Sequence, residues 1–514
     1  AGVILVTTKR ATDGISQFEY NGDYGVQSPT ALPSQVDAVR YLELFNEFFT
    51  NDGANAPYTA DYIKNYASNN LSNPDLFPNT NWQKAVLKNG APRQNRNVSF
   101  TIGTPKLKTI ATLGYSNADG LYVNKSFERY TVRVNNDMKI NRFLDANFDL
   151  SYINSSYLSP AGESTARDRN PFYTARNLPP IYKDRFSDGR WGTGKEGINA
   201  LAQLEDGGQD RENNHLLSAR LGFKITPVKG LLVTGIVSPR FDFTKLKQFS
   251  KVIEFTDLSD PTRVIYRNQA NTTLNEGRTE SFTLNGQLLA NYSKTIGSSH
   301  NVDILAGYEE NYNKLEAVAA SRGEFILTDF PYLSVGSLAL RDNSGNATEY
   351  ALRSVFGRVQ YNFKSRYYLQ ANLRRDGSSR FHPDYRWALF PSLALGWTIS
   401  EEPFLNSGRS TYYLKLRGSW GQVGNERIGN YPYQSSISFS NALFYQGTNK
   451  VSVTTGAQSS YAIPNISWET SESIDLGVDL GLFNDRLNAS LDIYKKKTRD
   501  ILLQLDIPRF LGYA

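Results

Sequence analysis

Residues 366–422 run RYYLQANLRRDGSSRFHPDYRWALFPSLALGWTISEEPFLNSGRSTYYLKLRGSWGQ, and three alternations inside this stretch decide the fold. Tyr367, Leu369, Ala371 and Leu373 alternate with Tyr368, Gln370, Asn372 and Arg374, the period of a strand with one apolar and one polar face. Leu389, Leu393, Leu395, Trp397 and Ile399 alternate with Ser392, Ala394, Gly396 and Thr398. Tyr412, Leu414, Leu416 and Trp420 alternate with Tyr413, Lys415, Arg417 and Ser419. Each alternation is roughly 9 to 11 residues long, enough for a tilted strand to cross a bilayer and well beyond the mean strand of a soluble protein. They predict an all-β fold, an antiparallel transmembrane β-barrel.

Composition agrees by exclusion. Aromatics reach 13% of the 514 residues while mean hydropathy is −0.47, and no run approaches the roughly 18 apolar residues of a membrane helix. A barrel escapes that test because only alternate residues face lipid. The absence of cysteine removes disulfide frameworks, thiol catalysis and Cys-ligated zinc. A net charge of +6, from 56 basic and 50 acidic side chains, is too small and dispersed for a nucleic-acid footprint.

Taken from the N-terminus, Gly2 to Lys9 is a β-branched run suited to a buried strand. From Phe18 onward about fifteen amphipathic strands follow, with another beginning at Ile501 to Ile507. Val36 to Phe49 has helical spacing inside a loop. The even-numbered connections, such as those at Thr104, Asn141-Arg142, Lys364-Ser365 and Phe483-Asn484-Asp485, are short. The odd-numbered ones, such as 155–213, 244–280 and 313–348, are intermediate or long. Strands crossing a membrane sort their loops in this way, with short periplasmic turns and long external loops. A soluble sandwich has no reason to sort loops by parity, and a propeller would show a repeat that is absent.

The motifs in this frame resemble a known family. AGVILVTTKR (1–10) is similar to the end of the plug in TonB-dependent outer-membrane transporters. LRRDGSSRFHPDYRWALFPSLALGW (373–397), LKLRGSWGQVGN (414–425), NISWETSESIDLGVDLGLFNDRLNASLDIYKKKTRDILL (465–503) and TNWQKAVL (80–87) resemble the SusC/RagA branch. The resemblance implies that residues 1–12 end a plug domain that is otherwise missing. Residues 13–514 would then form an incomplete barrel, about fifteen of the about 22 strands of plugged outer-membrane transporters. It further implies import of oligosaccharides or peptides through a barrel in the Gram-negative outer membrane. The partners implied are a SusD-like surface lipoprotein and, through N-terminal residues absent here, the TonB–ExbB–ExbD complex. Outer-membrane lipid would surround the barrel, and no cofactor is implied. The alternative is a surface receptor or adhesin that binds without transport.

No enzymatic constellation stands out. His215, His300 and His382 are scattered, and Glu401 and Glu402 are adjacent, so in an extended chain they point to opposite faces and cannot act as a glycosidase pair. The candidates for substrate contact lie in the loop 155–213: Tyr182, Arg190 and Trp191 put aromatics and a cation where sugar faces or peptide groups could be gripped. Packing of loop against loop is the competing role for the same side chains.

Overall fold

The computed structural model describes residues 9–163, 170–405, 412–458, 462–484 and 486–503. Its strands, in chain order, are β1 (Ser16–Gln27), β2 (Ala91–Gly103), β3 (Leu107–Asp119), β4 (Ser126–Lys139), β5 (Leu144–Pro160), β6 (Gly208–Val228), β7 (Leu231–Ser250), β8 (Glu254–Thr256), β9 (Val264–Arg267) and β10 (Thr273–Ile296). They continue with β11 (His300–Gly323), β12 (Arg341–Phe363), β13 (Tyr367–Ser378), β14 (Trp387–Thr398), β15 (Tyr412–Asn425), β16 (Ile437–Gln446), β17 (Asn449–Gln458), β18 (Glu469–Leu482) and β19 (Leu487–Arg499). One sheet holds fifteen of these in sequence order, while β8–β9 and β16–β17 are separate two-stranded hairpins inside long connections. Every pairing is antiparallel between neighbours along the chain. Among the described residues the two edge strands, β1 and β19, are not paired with each other. The structure is thus a large part of a barrel-like antiparallel sheet.

The expected parity holds for most connections, the exceptions being 120–125 and 379–386 at the long end, both shorter than 399–411 at the short end. Connections 104–106, 140–143, 229–230, 297–299, 364–366 and 399–411 join strands at one end. Connections 28–90, 161–207, 251–272, 324–340 and 426–468 stand at the other. The strands run further toward the long end than apolar alternation predicts. β10 and β11 are 24 residues each, so much of 244–280 and 313–348 is ladder, not loop. The β10 extension is polar on both faces, with Glu276, Arg278 and Glu280 on one and Asn275, Thr279 and Ser281 on the other, and apolar period is the signal that finds strands. The helix expected at Val36 to Phe49 forms as α1 (Ala38–Asn51), capped by Asp37, whose carboxylate accepts from the backbone of Arg40. The buried strand expected at Gly2 to Lys9 lies, but for Lys9, outside the described residues. So does most of the strand expected from Ile501, where 501–503 are not strand.

Among the described residues, none covers the apolar face of the sheet. Leu395 is 55% exposed and Leu476, in the same cross-strand row beyond Gly418, 64%, values a soluble protein would not repeat across one face. At the short-turn end an aromatic row crosses four strands. His300 and Phe363 have centroids 4.6 Å apart, Phe363 and Tyr367 6.2 Å, and Tyr367 and Trp397 6.5 Å. Trp387 lies ten residues from Trp397 on β14, about 25 Å along the normal for a strand tilted by about 40°. That is the height of the apolar band of an outer-membrane barrel, bounded by aromatic girdles. Among the described residues no helix is long and apolar enough to cross a membrane.

Candidate functional site

The opposite, concave face of the sheet is polar. Arg374 donates to Asp376 at 2.7 Å and to Ser354 at 2.8 Å, and Glu309 accepts from Asn285 and Gln287. Asp303 accepts from Ser293 at 2.6 Å and from Asn291 at 3.0 Å. Arg417 faces three carboxylates, Asp475, Asp479 and Asp492, at 3.5, 3.1 and 2.6 Å. Toward the short-turn end this wall encloses a recess of about 640 Å³ lined by Asp303, Gln360, Tyr368, Gln370, Lys415 and Arg417. Half-exposed ion pairs of this kind contribute little stability. Their effect is to keep the interior hydrated and bristling with donors and acceptors.

The hydrophobic cores lie at the long-loop end, where connections pack on each other. Besides α1, the connection 28–90 carries α2 (Ala60–Ser72) and α3 (Trp82–Val86), and 161–207 carries α4 (Pro171–Asn177) and α5 (Ala200–Asp206). Trp82 is fully buried with Val86, Tyr122, Ala175, Leu178 and Leu204, and its indole N–H donates to the Pro179 carbonyl at 3.0 Å. A second seam is polar. The partly buried Asp75 carboxylate accepts from the Ser187 backbone at 3.0 Å and from the Ser187 hydroxyl, with the Lys183 ammonium at 3.4 Å. Burial pushes the Asp75 pKa up, but the Ser187 and Lys183 contacts outweigh it and hold the carboxyl below its ordinary value.

The structure separates the three residues singled out in this loop. Tyr182 is half-buried against the Trp82 cluster, and burial, together with neighbouring Tyr58, raises its pKa. Arg190 donates to Asp188 at 2.7 Å, to the Thr256 hydroxyl at 2.7 Å and to the Asp257 carbonyl at 2.9 Å. Trp191 donates to Asp206 at 2.7 Å, carries the Arg185 guanidinium 3.7 Å over its ring, and packs against Ala202, Ile253 and Phe255. Arg190 and Trp191 thus tie the loop to the β8–β9 hairpin, while Tyr182 belongs to the seam with α1–α3.

Periodicity did not find the aromatic strip beside Tyr182. Tyr41 and Phe45 are 5.7 Å apart and nearly parallel, as are Tyr58 and Tyr62 at 5.6 Å. These rings come together from α1, α2 and the residue before the α2 cap, and only the spacing within α1 was visible in the sequence. The 366–422 stretch is scaffold: Phe381 and Phe390 bury against Trp468 of the connection 426–468, whose indole N–H donates to the Arg386 carbonyl at 2.8 Å. Among the described residues no group of three or more His, Asp or Glu is placed to hold a metal ion.

A long antiparallel sheet with an apolar outer face, an aromatic row and a polar inner face is the barrel-like wall of an outer-membrane protein. The family model described as TonB dependent receptor-like, beta-barrel matches residues 154–513, and the chain belongs to that family, one of outer-membrane receptors and not of enzymes. Within it the chain matches SusC/RagA-type receptors. It is 27% identical to TonB-dependent receptor P26 of Formosa agariphila, over 100% of this chain and 49% of that protein. It is 26% identical to TonB-dependent receptor SusC of Bacteroides thetaiotaomicron, over 99% of this chain and 49% of SusC. The chain thus spans about half the length of these curated relatives. The RagAB peptide transporter structure shares its fold, with a TM-score of 0.78 at 22% identity over 98% of this chain and 57% of that one.

Proposed function

We propose that this chain supplies most of the barrel of a TonB-energised importer, with the long connections facing outward and a SusD-like lipoprotein closing over them. The cargo is an oligosaccharide or a peptide, held between the loop cap and the polar wall. The observation that carries this is the pairing of a continuous polar concavity with an apolar, girdled exterior. Such an interior offers many weak contacts, and release inward needs work delivered from elsewhere. Residues 1–12 are read as the end of a plug and 13–514 as barrel. Arg10 and Asp13 reach the polar wall at Asp149 and Lys108, which suits a segment passing from lumen to strand β1.

The β16–β17 hairpin supports a capping partner. Phe439, Leu443 and Tyr445 share one face of it and are 75%, 69% and 70% exposed. A two-stranded hairpin with a bare apolar face is marginal on its own, and a lid would cover it. Tyr182, Arg190 and Trp191 are proposed to shape the cargo-facing surface of the cap. The test is uptake of labelled oligosaccharide or peptide by cells carrying Trp191→Ala in the full-length protein. Reduced uptake with normal surface assembly is expected; unchanged uptake removes Trp191 from the site, and uptake independent of TonB overturns the importer.

A further inference from the structure

Two cations project from the apolar outer face at its long-loop boundary. Arg375 stands eight residues along β13 from Tyr367, and Lys495 eight along β19 from Leu487, so both sit one membrane-crossing length from the short turns. Their directly opposite neighbours are aliphatic: Val355 and Leu389 for Arg375, Ile474 for Lys495. Those three side chains are 53%, 52% and 49% exposed. Two other cations near this height are matched within the protein, Arg353 with Glu310 and Arg499 with Glu472, both at 2.9 Å. Among the described residues no carboxylate lies within ion-pair distance of Arg375 or Lys495.

Arg375 is also pre-oriented. Its guanidinium lies 4.9 Å over the ring of Trp387, and that indole is seated on Gly377, where a Cβ would come within 2.6 Å of it. A guanidinium stacked on an aromatic face keeps its N–H edge free to fork onto a tetrahedral oxyanion. Lys495 has an aliphatic stem that lies along apolar surface while its ammonium reaches out of it. At the rim of a hydrocarbon layer an unmatched cation is costly unless an anion meets it. We infer that Arg375 and Lys495 bind phosphate groups of outer-leaflet lipid headgroups. Four strand spacings separate them, about 19 Å, so they hold different phosphates and pin the barrel's height at two points. The inference rests on the outward orientation of the long connections.

The test uses the full-length protein purified from outer membranes in mild detergent and titrated with lipid A and with dephosphorylated lipid A. Arg375→Gln and Lys495→Gln are each expected to weaken lipid A binding about fivefold at low salt, and the pair about thirtyfold. Binding of the dephosphorylated lipid should not change among the variants. Lys314→Gln, fourteen residues along β11 from His300 and beyond the band, should leave lipid A binding as it is. Equal binding of the two lipids by the unaltered protein, or unchanged lipid A binding by the double variant, overturns the inference. Orientation is read separately, by labelling Lys195→Cys on intact cells with an impermeant reagent. Absence of label in assembled protein would overturn the outward reading and with it the leaflet, whatever the phosphate contacts.

Discussion

The guanidinium of Arg10 grips both carboxylate oxygens of Asp149, at 2.6 and 2.7 Å, and a third contact runs to Asp137 at 3.3 Å. Arg10 precedes the first strand, and Asp149 sits on the polar face of β5, so the clasp fixes how the chain enters the sheet. Arg10→Ala should raise protease cleavage within 9–15 by about fivefold at low salt, the effect of losing a contact of about 1 kcal/mol. The difference should shrink as salt is added, since the pair is partly exposed. Equal cleavage rates at low salt would show that the clasp does not hold the segment.

Gly103 has a steric reason to be glycine. A Cβ there would fall 1.7 Å from the Thr12 carbonyl oxygen, while the Gly103 backbone bonds to both Gly14 and Ile15. Gly103→Ala should therefore lift residues 12–15 off β2 and speed amide exchange there, leaving exchange in β11–β14 unchanged. Unaltered exchange at 12–15 would contradict this.

Trp82 is the keystone of the cap. Trp82→Ala is expected to cost the cap about 3–5 kcal/mol, from lost transfer energy and the cavity left behind. Amide exchange should rise in α1, α3 and α4, while the heat-modifiable gel shift of the barrel stays. A variant that loses the gel shift would show that cap and sheet are one cooperative unit.

The Asp75 seam gives the cap an acid limit. Because the folded group lies below its ordinary value of 3.8, its stabilisation is complete above about pH 4 and is lost as pH falls through the lower folded value. Protease nicking of 161–207 should thus rise below about pH 4. Asp75→Asn should remove that dependence and cost about 2 kcal/mol at neutral pH, since Lys183 loses its partner and Ser187 a charged acceptor. A pH response persisting in Asp75→Asn would assign it to other groups.

Sheet and site were legible to different degrees. Strands such as Tyr367 to Arg374 announce themselves because lipid demands an apolar residue at every second position, and their turns are short enough to count. The upper halves of β10 and β11 face water on both sides, so nothing in Glu276 to Glu280 marks them as strand. Hairpin β8–β9 was missed because its strands are three and four residues long, too short to show a period, and β16 because Asn441 interrupts the apolar face made by Phe439, Leu443 and Tyr445. The cap was least visible, because its cores join residues far apart in the chain, as Trp82 joins Pro179 and Asp75 joins Ser187. Arg190 and Trp191 were noticed as residue types suited to ligand contact. What they bond to could not be read from their positions, and the structure commits their polar groups to Asp188, Thr256 and Asp206.

Each strand of the sheet pairs with its sequence neighbour, whereas the cap joins segments about a hundred residues apart. The two parts therefore follow different timetables. Hairpins close locally and can be added one at a time as the chain is delivered to the membrane. Trp82 has nothing to pack against until β2 through β5 are in place and 161–207 has emerged. The cap core around Trp82 thus closes only after the first five sheet strands have paired, and ahead of the strands that follow 161–207.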